Sequence, residues 1–310
     1  MRSLNSQLIA WDRVLDVVLP KFNRPSLKEK PLQGELETRH HWGLSAVEFT
    51  QDHERFRLRA LPKAFAYEFT GEAQAISALG GIAVATKPYV TKEGALFVQE
   101  GEHVFSLMPL GGGKRAIALT DTQAFKAGAL LKTIHLSLNK VHGQAFTLHD
   151  RSDSIDWVAL QKRDQKRDPF VAQHLLSIPG WLKPLKKIAH KKATLTHGAF
   201  TPQNVLFDDT VPVGLMGLSH SVYDGLERDL AIGLYSFSLR ADGSTDDKNL
   251  RAFAAGYQEG FSHLRAKNLA ERGQIEVALY ALELSAKDRL ALRENPRAHA
   301  GLCTWINKRL

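Results

Sequence analysis

The chain has 310 residues, of which 44% are hydrophobic and 24% charged, a composition typical of an ordinary globular protein with a large core. Its net charge of +8 is compatible with an anionic ligand or an acidic protein partner, but no recognised module or interleaved aromatic pattern favours nucleic acid. The single cysteine, Cys303, excludes an internal disulfide and fits a reducing compartment, so we expect a cytoplasmic protein.

The most apolar N-terminal stretch runs from Leu8 to Leu19 and is interrupted by three charged residues. It is too short to span a membrane, and no targeting segment is evident. Its apolar residues recur on one helical face that ends before Pro20, which predicts an amphipathic helix. This helix either packs on the domain that follows or binds a partner.

A basic strand and an acidic helix are predicted next. Residues 57–60 form the strand and carry Arg59, and residues 72–79 form the helix and begin with Glu72. We expect only residues 47–56 between the first strand and the basic strand. They contain no glycine, so no flexible glycine-rich loop is expected to cradle phosphates there.

Residues 103–110 are predicted to form a strand, followed by three glycines and Lys114. The glycines suggest a phosphate-binding loop, but the Walker pattern requires glycine where Met108 stands and serine or threonine where Arg115 stands. The interpretation of the glycines as a phosphate-binding loop therefore fails. A helix with apolar residues at helical spacing follows, and its His135 is interpreted as a core histidine.

The most informative segment is residues 197–204, His-Gly-Ala-Phe-Thr-Pro-Gln-Asn. Thirteen residues after Asn204 lies Gly217, within an apolar run that follows a turn-forming Asp-Asp pair, so a hairpin is predicted. Twelve residues further on, Asp229-Leu-Ala opens a predicted helix.

This order of elements resembles the aminoglycoside phosphotransferase and choline kinase family, including its spore-coat-associated kinase-like members. In that family the loop reads His-Gly-Asp, then four residues, then Asn. A metal-binding Asp follows about thirteen residues later, at the end of an apolar strand. Ala199 stands here in place of the base Asp, and Gly217 in place of the metal-binding Asp.

The resemblance implies an α+β, bilobal, protein-kinase-like fold with a small β-rich N-terminal lobe and a larger, mainly helical C-terminal lobe. The expected boundaries are 1–35 for an N-terminal helix and connection, 36–107 for the small lobe and 108–310 for the large lobe. It also implies roles for the retained residues. Nucleotide contacts would come from Arg59, Glu72 and Met108, a metal ligand from Asn204, loop shape from His197 and structural support from Asp229. The resemblance also implies an ion pair between Arg59 and Glu72; the alternative is a surface arginine and a solvated glutamate.

Phosphoryl transfer requires a carboxylate at the acceptor hydroxyl, and Asp and Asn ligands for magnesium. Ala199 and Gly217 supply neither. Asp208 and Asp209 lie in the predicted turn, too far along the chain to replace the base. Asp224 is either a surface or capping residue or one that reaches inward. No cofactor is therefore expected.

Two hypotheses follow. The first is a pseudokinase that acts as a binding, regulatory or scaffold protein, through its cleft or a basic face, towards a protein partner or anionic ligand. The second is an active small-molecule kinase using ATP and Mg²⁺ with atypical groups, or an engineered inactive variant. The basic clusters at residues 161–168 and 183–192 are solvated faces or anion-attracting surfaces, so they do not discriminate between the two hypotheses.

Overall fold

The computed structural model describes residues 11–23, 33–41, 44–51, 53–63, 66–80, 82, 87–116, 118–141, 155–181, 194–218, 221–240, 242–286 and 296–310. The predicted lysine cluster at residues 183–192 and the predicted start of the first helix at Leu8 lie outside the described residues.

The N-terminal part forms a small lobe, residues 11–110, built on an antiparallel sheet of five strands in the order β1-β2-β3-β5-β4. Its strands are β1 Gln33–His41, β2 Leu44–Gln51, β3 Glu54–Pro62, β4 Val98–Glu100 and β5 His103–Leu110. Its helices are α1 Trp11–Val18, before the sheet, and α2 Tyr67–Ala78, between β3 and β4.

The first helix packs on the sheet. Trp11, Leu15 and Val18 are buried in one apolar cluster with residues of β2, β3 and β5, and the Trp11 ring meets Phe105 edge-on at 6.4 Å. Phe56 and Leu58 of β3 belong to the same cluster. Because side chains alternate along a strand, the neighbouring Arg55, Arg57 and Arg59 point to the opposite face, towards the rest of the chain.

The prediction that residues 47–56 separate the first strand from the basic strand is wrong. Those residues are β2 and β3 themselves, paired from Ser45 with Ala60 to Gln51 with Glu54, and a further strand, β1, precedes them. Its sequence, QGELETRHH, is too polar to show hydrophobic alternation, which is why it was missed. The β1–β2 connection contains Gly43 and lies outside the described residues. The lack of glycine in residues 47–56 therefore says nothing about phosphate binding.

The C-terminal part, from residue 114 onwards, forms a large, mainly helical lobe, so the α+β bilobal prediction is confirmed. Its helices are α3 Asp121–Leu138, α4 Trp157–Asp164, α5 Pro169–His174, α6 Leu226–Ser238, α7 Asp247–Tyr257, α8 His263–Ala286 and α9 Pro296–Asn307. Its strands are β6 Lys114–Arg115, β7 Thr194–Thr196, β8 Val205–Asp208, β9 Val211–Leu215 and β10 Val222–Asp224. None of the helices that the structure describes is long and apolar enough to cross a membrane.

Two small sheets of the large lobe hold the loop of residues 197–204. Strands β6, β8 and β9 form one antiparallel sheet, and β7 pairs with β10 in the other. The predicted hairpin is confirmed, with Asp209 at a positive φ of 52° in its turn. Residues 197–204 run from the end of β7 to the start of β8, so both sheets fix the ends of the loop.

The glycines at residues 111–113 connect the lobes. β5 continues to Leu110, so the five-stranded sheet extends past residue 107. Gly113 has φ +91°, and a β-carbon there would lie 2.8 Å from the Phe207 carbonyl oxygen and 2.5 Å from Val213 Cγ2. A glycine is required because the connection passes directly over the β8–β9 hairpin.

Candidate functional site

The carboxylate of Asp229 organises the loop. It lies in the first turn of α6, is 1% exposed, and accepts hydrogen bonds from the backbone N–H groups of His197 (2.9 Å) and Gly198 (3.0 Å). The ring Nε2 of His135 lies 3.1 Å from the same carboxylate. Burial raises the pKa of Asp229, but the His135 hydrogen bond and the nearby imidazoles outweigh burial and hold it below its ordinary value. Asp229 is therefore an ionised anchor for the loop backbone.

His197 joins the loop to the segment after β9. Its Nε2 lies 2.9 Å from the Met216 carbonyl oxygen, and its Nδ1 accepts the backbone N–H of Ala199 at 3.3 Å. These partners place the proton on Nε2, since a carbonyl can only accept. Burial lowers the pKa of His197, which favours the neutral ring. This histidine shapes the loop from within and is not presented to a ligand.

His135 is satisfied in the core on both sides. Its Nδ1 lies 2.9 Å from the Tyr257 hydroxyl, opposite the Asp229 contact. Burial raises the pKa of Tyr257 to about 12, so the hydroxyl keeps its proton. The interpretation of His135 as a core histidine matches this geometry.

Ala199, Asn204 and Gly217 come together at the centre of the site. The Asn204 side-chain amide donates to the Ala199 carbonyl oxygen at 2.8 Å. Gly217 has φ +80°, and a β-carbon at this position would lie 2.4 Å from Asn204 Nδ2 and 2.6 Å from Asn204 Cγ. The Asn204 side chain thus occupies the space that a residue with a side chain would need at position 217.

The described residues around the loop do not fit a magnesium ion, which prefers several oxygen ligands in near-octahedral geometry. Asp224 is 2% exposed, so the alternative of a surface residue is wrong. Its carboxylate pairs with Arg228 at 3.1 Å and accepts the Gly225 N–H at 2.6 Å. Asp208 and Asp209 lie at the β8–β9 turn. Within the described ranges, no group of three His, Cys, Asp or Glu side chains is placed to hold a metal.

The predicted ion pair between Arg59 and Glu72 is present. Arg59 Nη1 donates to Glu72 Oε1 at 2.8 Å, and Nη2 donates to Oε2 at 2.5 Å and to Ser106 Oγ at 2.9 Å. Both residues are 1% exposed, which overturns the alternative of a surface arginine and a solvated glutamate. The Arg59 guanidinium also lies over the Phe69 ring, 4.9 Å from its centroid. The pair locks β3 to α2.

Sequence reasoning missed a second charged cluster, between the lobes. Glu48 of β2 is 5% exposed, and one of its carboxylate oxygens lies 3.0 Å from Arg115 Nη2 and 3.7 Å from Arg57 Nε. Arg55 approaches the other oxygen at 3.6 Å. Met108, predicted as a nucleotide contact, is buried on β5 directly opposite Arg57. The sequence signal that could have revealed this cluster is the arginine at every second position along β3, because alternate residues of a strand share one face.

Sequence comparison identifies a family over most of the chain. Residues 38–265 match the model of the phosphotransferase enzyme family. No curated protein matches the chain's sequence.

Solved structures share the fold at low identity. A microcompartment-associated aminopropanol kinase is 12% identical with a TM-score of 0.63, and the match covers 94% of this chain and 95% of that one. The gentamicin–APH(2")-IIa complex is 12% identical with a TM-score of 0.58 and coverages of 91% and 92%. An aminoglycoside phosphotransferase from Alicyclobacillus acidocaldarius is 15% identical with a TM-score of 0.52 and coverages of 95% and 96%.

Proposed function

The chain belongs to the phosphotransferase enzyme family, and from that premise we propose that it is a pseudokinase, a member that has kept the fold and acts by binding instead of transferring a phosphoryl group. Its partner would be a protein or an anionic ligand that recognises the cleft or a basic face of the large lobe.

The single observation that carries the proposal is the packing of Asn204 on Gly217. Phosphoryl transfer needs a base near the acceptor and carboxylate-held magnesium at the phosphates. Ala199 provides no base, and the contact between Asn204 and Gly217 leaves no space for a carboxylate side chain without rearrangement. This packing supports the proposal of a site without either group.

This packing also bears on the alternative of an engineered inactive variant. A single replacement of the base by alanine would leave the metal-binding position as it was. Here the second position is a glycine at positive φ whose missing side chain is replaced by the Asn204 amide. A positive φ favours glycine for steric reasons. Alanine at position 199 and glycine at position 217 therefore fit together as properties of one site.

An active phosphotransferase remains the second candidate, favoured by family membership and by the intact anchors Asp229, His197 and the Arg59–Glu72 pair. These anchors hold the loop and the helix in place, so they support the fold whether or not chemistry occurs. A nucleotide bound without carboxylate-held magnesium would lack the neutralising charge that phosphates require.

Thermal unfolding with ATP, ADP and GTP, each with magnesium or with EDTA, tests the proposal. A ligand that binds only the folded state must raise the melting temperature. We expect no magnesium-dependent rise at millimolar nucleotide. The Ala199→Asp variant is the matched comparison, since it returns the base alone. Release of γ-phosphate from ATP by the parent protein would establish the active kinase instead. A magnesium-dependent rise alone would show a working nucleotide site and contradict the expected absence of one.

A further inference from the structure

Arg115 spans the cleft between the two lobes. Its backbone belongs to β6, which pairs with β8 in the large lobe, opposite Leu206. Its side chain reaches the small lobe, where Nη2 donates to Glu48 Oε1 at 3.0 Å. In addition, its Nε donates to the Gln203 carbonyl oxygen of the loop at 3.0 Å. One guanidinium therefore binds the small-lobe sheet and the large-lobe loop at the same time.

The surroundings of Arg115 are closed. Glu48 and Arg57 are 5% and 6% exposed, and the Arg115 side chain is 20% exposed. Arg57 Nη1 and Arg115 Nη2 both approach Met216 Sδ, at 3.7 and 3.9 Å. Met216 immediately precedes Gly217, so the cluster reaches the segment in which the family carries its metal ligand.

Apolar contacts reinforce the same closure. Leu110, at the end of β5, packs with Leu206 and Met216 of the large lobe in a small cluster separate from the main cores. All three are at most 7% exposed. The charged cluster and this apolar cluster lie between the small-lobe sheet and the β8–β9 hairpin of the large lobe.

We infer that Arg115 is an interlobe latch, a contact that keeps the cleft closed through its simultaneous bonds to Glu48 and to the loop backbone. The planar guanidinium suits this role, because its fixed fork of donors serves two acceptors that lie in different directions. Part-burial strengthens the charged hydrogen bond to Glu48 relative to one in water. Arg115 thus adds a contact across the cleft to the covalent connection through residues 111–113.

Distance measurements between spin labels test the latch without a ligand, so their outcome does not depend on whether the protein is a pseudokinase. In a Cys303→Ser background, the labels are introduced by Glu93→Cys in the small lobe and Arg251→Cys on α7, both exposed positions. The Arg115→Ala variant is compared with Lys114→Ala, which removes the same charge from the exposed neighbour on β6.

We expect a longer and broader distance distribution for Arg115→Ala, and the parent distribution for Lys114→Ala. A folded Arg115→Ala protein with the parent distribution would overturn the latch, and so would equal broadening in Lys114→Ala, which would assign the effect to net charge. If Arg115→Ala does not fold, as judged by circular dichroism, Arg115→Lys takes its place. Lysine keeps the charge but lacks the fork, so broadening again supports the latch and an unchanged distribution overturns it.

Discussion

The side-chain amide of Asn204 fills the place where a side chain at Gly217 would begin, 2.4 Å from the position of its β-carbon. The same amide donates to the carbonyl oxygen of Ala199. Asn204 is thereby packed against Ala199 and Gly217, the two positions at which the family resemblance places a carboxylate. These three residues therefore pack as one unit.

Restoring the carboxylate at position 217 should therefore destabilise the protein. Gly217→Asp would place a side chain at φ +80° and against Asn204, so we expect the free energy of unfolding to fall by about 2–4 kcal/mol. Urea denaturation measures this change. Gly180→Asp is the control, because a β-carbon there meets no atom within 4 Å, and it should change stability by at most about 0.5 kcal/mol. Equal effects of the two substitutions would contradict the proposed packing.

Breaking the buried pair between β3 and α2 should cost much more than breaking a surface pair. Arg59→Met leaves Glu72 buried without its partner, and we expect a loss of about 3–5 kcal/mol. Lys21→Ala breaks the pair of Lys21 with Glu100, whose side chains are 44% and 45% exposed, and should cost less than about 1 kcal/mol. Chemical denaturation of both variants compares them directly. Similar losses would show that the buried pair is not a structural lock.

Removing the charge of the loop anchor should destabilise the large lobe. The two oxygens of Asp229 each accept a backbone N–H, from His197 and from Gly198. In Asp229→Asn one of these oxygens becomes an NH₂ group, which cannot accept, so at least one backbone N–H loses its acceptor. We expect a loss of about 2 kcal/mol or more. Asp242→Asn is the matched control, since Asp242 is exposed and its one accepting oxygen can be kept by asparagine. A difference of less than 0.5 kcal/mol between the variants, roughly the scatter of surface substitutions, would argue against the anchor.

Stability should fall as the pH drops below the ordinary histidine pKa of 6.5. Burial lowers the pKa of His197 in the folded protein, so the unfolded chain binds a proton first as the pH falls. Stability from this group is complete above pH 6.5 and decreases below it, at about 1.4 kcal/mol per pH unit while one proton separates the two states. The lowered pKa of Asp229 acts in the same direction, but only in the more acidic range where carboxylates titrate.

The pH dependence can be assigned to His197 by denaturation of variants between pH 5 and pH 8. His197→Gln should show a shallower loss of stability than the parent, because glutamine can still donate to the Met216 carbonyl but does not titrate. His53 is exposed, so His53→Gln should show the same change of stability with pH as the parent protein. Parallel curves for the parent and His197→Gln would rule out His197 as the source.

Much of the fold and part of the site could be predicted from the sequence. The order His197, Asn204, Gly217, Asp229 could be predicted, because each residue lies next to the end of a strand or helix that the pattern of nearby residues already indicates. The Arg59–Glu72 pair was open to two interpretations, since pattern alone does not report burial. β1 was missed because its polar sequence carries no alternation to detect.

The sequence by itself determined the family, the two-lobed architecture and the absence of a carboxylate at residues 199 and 217, all of which follow from residue identity and spacing along the chain. Only the tertiary structure decided that Asn204 fills the space beside Gly217 and that Arg115 joins Glu48, 67 residues away, to the loop. Contacts of this kind depend on how separate elements approach in space. No periodicity within one helix or strand encodes that approach, because it results from the packing of the two lobes against each other.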